Sequence, residues 1–193
     1  MKYKLIKTAL FFLILNQLLY SCKLWGVRLK SNFTFTALAD QEKENINHQL
    51  TSFFHQSSGM ADGWALLEYN QTLSDTVVPL FRSSHPATTD STLYWGNVNS
   101  MINNENGIIG IGHLRAATSG AEEIPNPHPW MFYDEEKSYS LIHNGTINKN
   151  TLYNLLTHNN TDLTWLEMYE PQTFNGGDWK GDGWANVVDS ELL

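Results

Sequence analysis

The pattern of hydrophobic and polar residues predicts strands and helices that are interspersed without a regular βαβ spacing. Apolar residues alternate loosely with polar ones over residues 23–29, which indicates a first strand. Over residues 37–55 apolar residues recur among polar ones in a way that is typical of an amphipathic helix. The other predicted elements are strands at 63–69, 76–82, 108–115 and 138–143 and a short helix at 148–156. This order predicts an α+β fold.

Composition indicates one folded domain. The chain has 193 residues, of which 41% are hydrophobic and 17% are charged, and this length allows one domain with a substantial core. The net charge is −8, and no cluster of Lys and Arg is present. Because nucleic-acid binding needs cations grouped against phosphates, a nucleic-acid partner is not expected.

Residues 1–21 have the features of a signal peptide. Three lysines precede a short apolar stretch over residues 9–20, and a small residue, Ser21, follows it. The stretch is too short for a permanent membrane-spanning helix. We therefore expect a secreted or periplasmic protein in which residues 22–193 form the mature domain.

Cys22 directly follows that segment and is the only cysteine of the chain. Cleavage after Ser21 would give one residue both a thiol and a free α-amine. The amine has an ordinary pKa near ~8, so it can accept the thiol proton at neutral pH. This arrangement is an activated nucleophile that needs no histidine.

Four blocks of sequence follow one another along the chain: Cys-Lys-Leu-Trp-Gly at residues 22–26, Gly-His-Leu-Arg-Ala-Ala-Thr-Ser-Gly at 112–120, His-Asn-Gly at 143–145 and Asp-Ser-Glu at 189–191. Their order resembles class II glutamine amidotransferases, which belong to the N-terminal nucleophile hydrolases. Residues 22–26 are similar to the Cys-x-x-x-Gly start of that family. Residues 112–120 are similar to its Gly-His-x-Arg-x-Ala-Thr-x-Gly block. Residues 143–145 match its His-Asn-Gly turn, preceded at 126–130 by an Asn-x-His-Pro segment. Residues 189–191 are similar to its Asp-Ser/Thr-Glu block.

The resemblance implies a role for each of five residues. Cys22 would be the nucleophile that attacks the side-chain amide of glutamine or of another γ-glutamyl amide. The side-chain amide of Asn144 and the backbone N–H of Gly145 would form the oxyanion hole. Arg115 would bind the α-carboxylate of the substrate in a bidentate manner, and Asp189 would bind its α-ammonium group.

The same resemblance implies an αββα sandwich of two antiparallel sheets between helices, and a thioester intermediate that water hydrolyses. Family domains continue beyond the position where this sequence stops, two residues after Glu191, so we expect a sandwich that is incomplete at its C-terminus. No synthase domain follows, which favours hydrolysis over transfer of ammonia. A similar Asp-Gly-Trp block at residues 62–64 is interpreted as a buried structural strand near the site.

No cofactor or metal ion is expected, because the seven histidines show no paired metal-binding spacing. His113 and His128 are interpreted as hydrogen-bonded structural residues.

Other interpretations stay open from the sequence alone. Residues 19–22, Leu-Tyr-Ser-Cys, also fit a lipoprotein cleavage box. Acylation at Cys22 would consume both thiol and amine, and it would leave a membrane-anchored domain without catalysis. An inactive fragment is a third hypothesis. Taken singly, Arg115 fits a structural ion pair, Asn144-Gly145 an ordinary hairpin turn and Asp189 a helix N-cap.

Overall fold

The computed structural model describes residues 21–31, 33–71, 78–118, 120–123, 126–133, 137–174 and 176–193. Apart from Ser21, the predicted signal peptide lies outside these residues. The described residues form helices together with antiparallel strands, so the predicted α+β class is confirmed. No helix among them is both long enough and apolar enough to cross a membrane.

Four antiparallel strands form the main sheet, in the order β1-β4-β2-β3. Each coincides closely with a stretch of alternating or continuous apolar residues. The strands are β1 (Lys23–Arg28), β2 (Trp64–Asn70), β3 (Leu80–Ser83) and β4 (Gly107–Leu114). Residues 76 and 77 of the predicted third strand lie outside the described part of the chain.

The register of the sheet brings three separate segments together at one end. Leu114, the last residue of β4, pairs with Lys23 on one side and with Trp64 on the other. Cys22, which precedes β1, and Arg115, which follows β4, therefore lie at the same end of the sheet. Pairing alone places the first block of the family resemblance beside the second.

Two helices cover one face of the sheet and form the main core with it. These are α1 (Asp40–Gln56) and α2 (Ser91–Ile102). The hydroxyl of Tyr94 donates to the carbonyl oxygen of Leu50 at 3.0 Å and so joins the two helices. Phe53 packs directly over β4 at Gly112, where an added Cβ would lie 2.9 Å from the ring. The glycine thus allows an aromatic side chain to reach the sheet backbone.

A second group of elements follows the sheet. A two-stranded hairpin and two short helices precede a C-terminal segment with 3₁₀ turns: β5 (Trp130–Tyr133), β6 (Ser138–Leu141), α3 (Lys149–Leu156) and α4 (Thr164–Met168). Asn148 caps α3 by accepting from the N–H groups of Asn150 and Thr151 at 3.0 and 3.2 Å. Leu166, Trp179, Val187 and Leu192 form a separate small core between these elements.

Candidate active site

Cys22 lies immediately before β1, and its side chain is half-buried. The backbone nitrogen of Ala116 lies 3.4 Å from Sγ, and the carbonyl oxygen of the same residue lies 3.5 Å from it. The sulfur thus has a donor and an acceptor within hydrogen-bonding distance. These contacts hold the thiol against the loop that follows β4.

Arg115 begins that loop and is buried, with 4% of its surface exposed. Its backbone continues the strand pairing, because its N–H donates to Gly63 at 2.8 Å and its carbonyl oxygen accepts from Asp62 at 3.3 Å. Burial lowers the pKa of the guanidinium group, and the charges of Asp62, Cys22 and Asp189 are among those that oppose the shift. Arginine remains protonated in proteins. A cation therefore lies within electrostatic range of both the sulfur and the Asp189 carboxylate.

Asp62 and Gly63 support the loop from the neighbouring strand. The Asp62 carboxylate accepts from the backbone N–H of Ala117, with Oδ2 2.5 Å from the nitrogen. Gly63 has φ +112°, and an added Cβ would lie 2.2 Å from the carbonyl oxygen of Ser83. The Asp62-Gly63 pair, directly before β2, thus holds residues 115–117 through backbone and side-chain hydrogen bonds. The sequence predicted a buried strand over residues 62–64, but only Trp64 belongs to β2; Asp62 and Gly63 precede the strand, and Asp62 is half-buried.

The Asn144-Gly145 turn follows β6 and is exposed. It is anchored through the two residues that follow it. Thr146 donates through Oγ1 to Oγ1 of Thr118 at 2.7 Å, which ties the turn to the loop after Arg115. The backbone N–H of Ile147 donates to Asp189. These two hydrogen bonds hold the residues after the turn, while Asn144 itself is exposed.

Asp189 is buried, with 4% of its surface exposed. Its Oδ2 lies 2.6 Å from the backbone nitrogen of Ile147, and its Oδ1 lies 2.9 Å from that of Ser190. The carboxylate therefore lies where the Asn144-Gly145 turn meets the C-terminal segment. It does begin a 3₁₀ helix, Asp189–Leu192, but it is not the N-cap, which is Val188.

Two neutral histidines lie behind these groups. His128 Nε2 lies 2.5 Å from Oγ of Ser190, and its Nδ1 accepts from the backbone N–H of His143 at 3.4 Å. The backbone N–H of His128 in turn donates to Nδ1 of His113 at 3.1 Å. Burial, helped by nearby positive groups, lowers the pKa of His128 to about 4 and that of His113 to about 2. Both are hydrogen-bonded, as predicted, but the sequence did not reveal that His128 joins two blocks.

Lys149 holds the C-terminal segment in place, and no sequence pattern pointed to it. Its Nζ donates to the carbonyl oxygens of Trp184 and Val187 at 2.7 and 2.9 Å, and to that of Ala185 at 3.2 Å. Burial lowers the pKa of Lys149, and the charge of Asp189 opposes the shift. The ammonium group thus fixes the backbone directly before Asp189.

A groove of about 560 Å³ lies between β5, α4 and the C-terminal segment. Its walls are mostly apolar, and Cys22, Arg115 and Asn144 are not among the residues that line it. Glu191 does line it, with the backbone N–H of Gln172 3.0 Å from Oε1. Burial raises the pKa of Glu191 to about 7. The groove lacks the nucleophile, so the candidate chemistry lies at the end of the sheet instead.

The five predicted site residues therefore lie on segments that contact one another. Sulfur of Cys22 contacts the loop after Arg115, that loop contacts the Asn144-Gly145 turn, and the turn contacts Asp189. No group of three or more His, Cys, Asp or Glu side chains among the described residues is arranged to hold a metal ion.

Comparison with known proteins gives little further direction. No family model matches the chain. It is similar to an uncharacterized protein of Methanocaldococcus jannaschii, with 27% identity over 106 residues. The match covers 55% of this chain and 28% of that protein, so the chain spans little more than a quarter of the length of this relative.

Proposed function

We propose that this chain is an amidohydrolase of the class II glutamine amidotransferase type, which hydrolyses glutamine or another γ-glutamyl amide. One observation carries the proposal. Cys22 Sγ, the buried Arg115 and the buried Asp189 lie on segments joined through the loop after β4 and the Asn144-Gly145 turn. Recognition of a zwitterionic amino-acid substrate needs one cation and one anion, and its hydrolysis needs a nucleophile. The proposal assigns these roles to Arg115, Asp189 and Cys22.

The proposed reaction begins when the leader is removed after Ser21. The free α-amine of Cys22 takes the thiol proton, and Sγ attacks the γ-carbonyl carbon of the substrate. The side chain of Asn144 and the N–H of Gly145 stabilise the oxyanion of the tetrahedral intermediate. Its collapse breaks the C–N bond, the amine of Cys22 returns the proton to the leaving nitrogen, and a thioester remains.

Water then attacks the thioester carbon, with the same amine as base, and glutamate leaves as the sulfur regains its proton. Throughout, Arg115 holds the α-carboxylate and Asp189 the α-ammonium group. We also propose that the four-stranded sheet and the β5–β6 hairpin correspond to the two sheets of an αββα sandwich.

The first experiment is expression of the full chain with its leader in an exporting bacterial host. Intact mass shows whether the exported protein begins at an unmodified Cys22, and release of glutamate from glutamine measures turnover. We expect Cys22→Ala to abolish turnover and to keep the wild-type circular-dichroism spectrum. Because the chain has a single thiol, an electrophilic glutamine analogue should add one equivalent to the wild type and none to this variant. Turnover that persists in Cys22→Ala refutes the proposal.

The proposed substrate contacts have their own test. Arg115→Lys keeps the charge but loses the bidentate fork, and we expect it to raise KM for glutamine by about tenfold or more. The matched control is Arg28→Lys, at an exposed position of β1. Equal KM values for the two variants would remove Arg115 from the proposed site.

The second candidate is a lipoprotein anchored through Cys22, which the sequence Leu19-Tyr20-Ser21-Cys22 favours. It predicts an exported chain whose N-terminal residue carries fatty acyl chains and does not react with thiol reagents. The same intact-mass measurement separates the two candidates, because the acylated form is heavier by its lipid groups.

A further inference from the structure

The imidazole of His128 touches three of the segments that carry the proposed site. Its Nδ1 contacts the backbone N–H of His143, the residue before Asn144. Its Nε2 contacts the hydroxyl of Ser190, the residue after Asp189. Its ring centroid lies 4.5 Å from that of His113, two residues before Arg115. One buried side chain thus lies between segments that are far apart in the sequence.

The hydrogen bonds assign one tautomer to this ring. Because Nδ1 accepts from a backbone N–H, it carries no proton, and the proton of the neutral ring is on Nε2. Nε2 therefore donates to Ser190 Oγ, which also accepts from the indole N–H of Trp130 at 3.0 Å. Burial lowers the pKa of His128 to about 4, which keeps the ring neutral at ordinary pH. A protonated ring would lose the acceptor at Nδ1.

We propose that His128 is a positioning residue that sets the Asn144-Gly145 turn and the Asp189 carboxylate relative to each other through its two ring nitrogens. The proposal rests on the proposed function, since it concerns the geometry of that site. His128 does not contact substrate or sulfur in this scheme. It acts through the backbone of His143 and through Ser190.

The two nitrogens should affect different kinetic constants. The Nδ1 contact places the turn that would stabilise the oxyanion, a charge that exists only in the transition state, so its loss lowers kcat. The Nε2 contact places the segment that would bind the α-ammonium group. That group is bound equally before and during the reaction, so loss of this contact raises KM.

Two substitutions separate the contacts. His128→Asn places an acceptor near the position of Nδ1, and His128→Gln places a donor near that of Nε2. For His128→Asn we expect kcat within a fewfold of wild type and KM raised about tenfold. For His128→Gln we expect KM within a fewfold of wild type and kcat lowered about tenfold. Ser190→Ala, which removes the partner of Nε2 and leaves the imidazole in place, should reproduce the KM effect alone, and His48→Asn at an exposed position of α1 is the control.

A measurement without turnover keeps this inference separate from the proposed function. In the full processed chain, ¹⁵N NMR of the imidazoles should identify His128 as the Nε2–H tautomer, and hydrogen exchange of the His143 amide should be accelerated in His128→Gln but not in His128→Asn. If the wild type hydrolyses no amide while both NMR results hold, the proposed function fails, but the contacts of His128 with His143 and Ser190 are confirmed. An Nδ1–H tautomer, or equal changes of kcat and KM in the Asn and Gln variants, would overturn the positioning role.

Discussion

Glu68 offers a quantitative test of the structure that does not depend on catalysis. It lies on β2 with 6% of its surface exposed, beside a small cavity under α2. Among the described residues its Oε1 has no hydrogen-bond partner. Burial raises the pKa of this carboxyl from 4.5 to about 7, although a hydrogen bond with the side chain of Asn104 acts in the opposite direction.

The raised pKa gives Glu68 a contribution to stability that decreases as the pH rises. In the unfolded chain this carboxyl loses its proton near 4.5, whereas in the folded chain it keeps it up to about 7. The contribution of Glu68 is therefore complete below pH 4.5 and is lost as the pH rises through 7. A pKa difference of this size corresponds to about 3 kcal/mol of unfolding free energy.

Glu68→Gln keeps the shape of the side chain and removes the titration. Any packing cost of the amide is the same at all pH values, so the informative quantity is how the difference between variant and wild type changes with pH. We expect the variant to gain up to about 3 kcal/mol relative to wild type between about pH 4.5 and about pH 8. Both proteins share Glu191 and the histidines, whose effects cancel.

Urea denaturation followed by tryptophan fluorescence at the two pH values measures this difference. Glu105→Gln, at an exposed position, serves as the control and should show no change with pH. A difference between Glu68→Gln and wild type that is the same at both pH values would contradict the burial argument for this carboxyl.

Three further predictions concern the site and its support. Asn144→Ala should lower kcat for glutamine about 10²- to 10³-fold in steady-state assays with an unchanged melting temperature, because it removes the proposed oxyanion donor, which is exposed. The lowered pKa of His128 should make wild type lose about 1.4 kcal/mol of unfolding free energy per pH unit relative to His128→Asn as the pH falls from 6.5 towards 4; a urea series on both proteins from about pH 7 to about pH 4 checks this difference, in which the shared contributions of His113, Glu68 and Glu191 cancel. Gly63→Ala should lower the melting temperature in calorimetry, because its φ of +112° and the carbonyl oxygen of Ser83 leave no room for Cβ.

Strong periodicity explains why most of the main sheet could be predicted from the sequence, and α2 shows where that signal fails. Residues 91–102 include a glycine and two asparagines, which are poor helix formers, so no helix was predicted there. The helix forms because Tyr94, Val98 and Met101 fall on one side and bury themselves in the main core. Packing energy of this kind belongs to the tertiary structure and overrides local propensity.

The candidate site also has parts that the sequence predicts and parts that it does not. The residues proposed to carry chemistry stand in recognisable blocks, so Cys22 and Arg115 could be named from the sequence. The contacts that hold those blocks together could not be predicted, because they join positions far apart. Ser190 meets His128 across 62 positions of the chain, and Lys149 reaches the carbonyl oxygen of Val187 across 38. Neither pair has a sequence signal, since any Ser, His or Lys side chain has the same donors and acceptors wherever it stands.

The two candidate functions require different states of the Cys22 sulfur: the hydrolase needs a free thiol, and the lipoprotein needs a thioether. The contacts around the sulfur bear on this choice. Strand β1 begins at the very next residue, Lys23, which already pairs with Leu114. A lipid thioether would have no flexible chain between the bilayer and the sheet, and it would remove the S–H that faces the carbonyl oxygen of Ala116. A free α-amine requires only cleavage at the exposed Ser21 and leaves the sulfur where it lies. The direct continuation of Cys22 into β1 is therefore one argument for the proposed hydrolase, and the intact mass of the exported chain tests it.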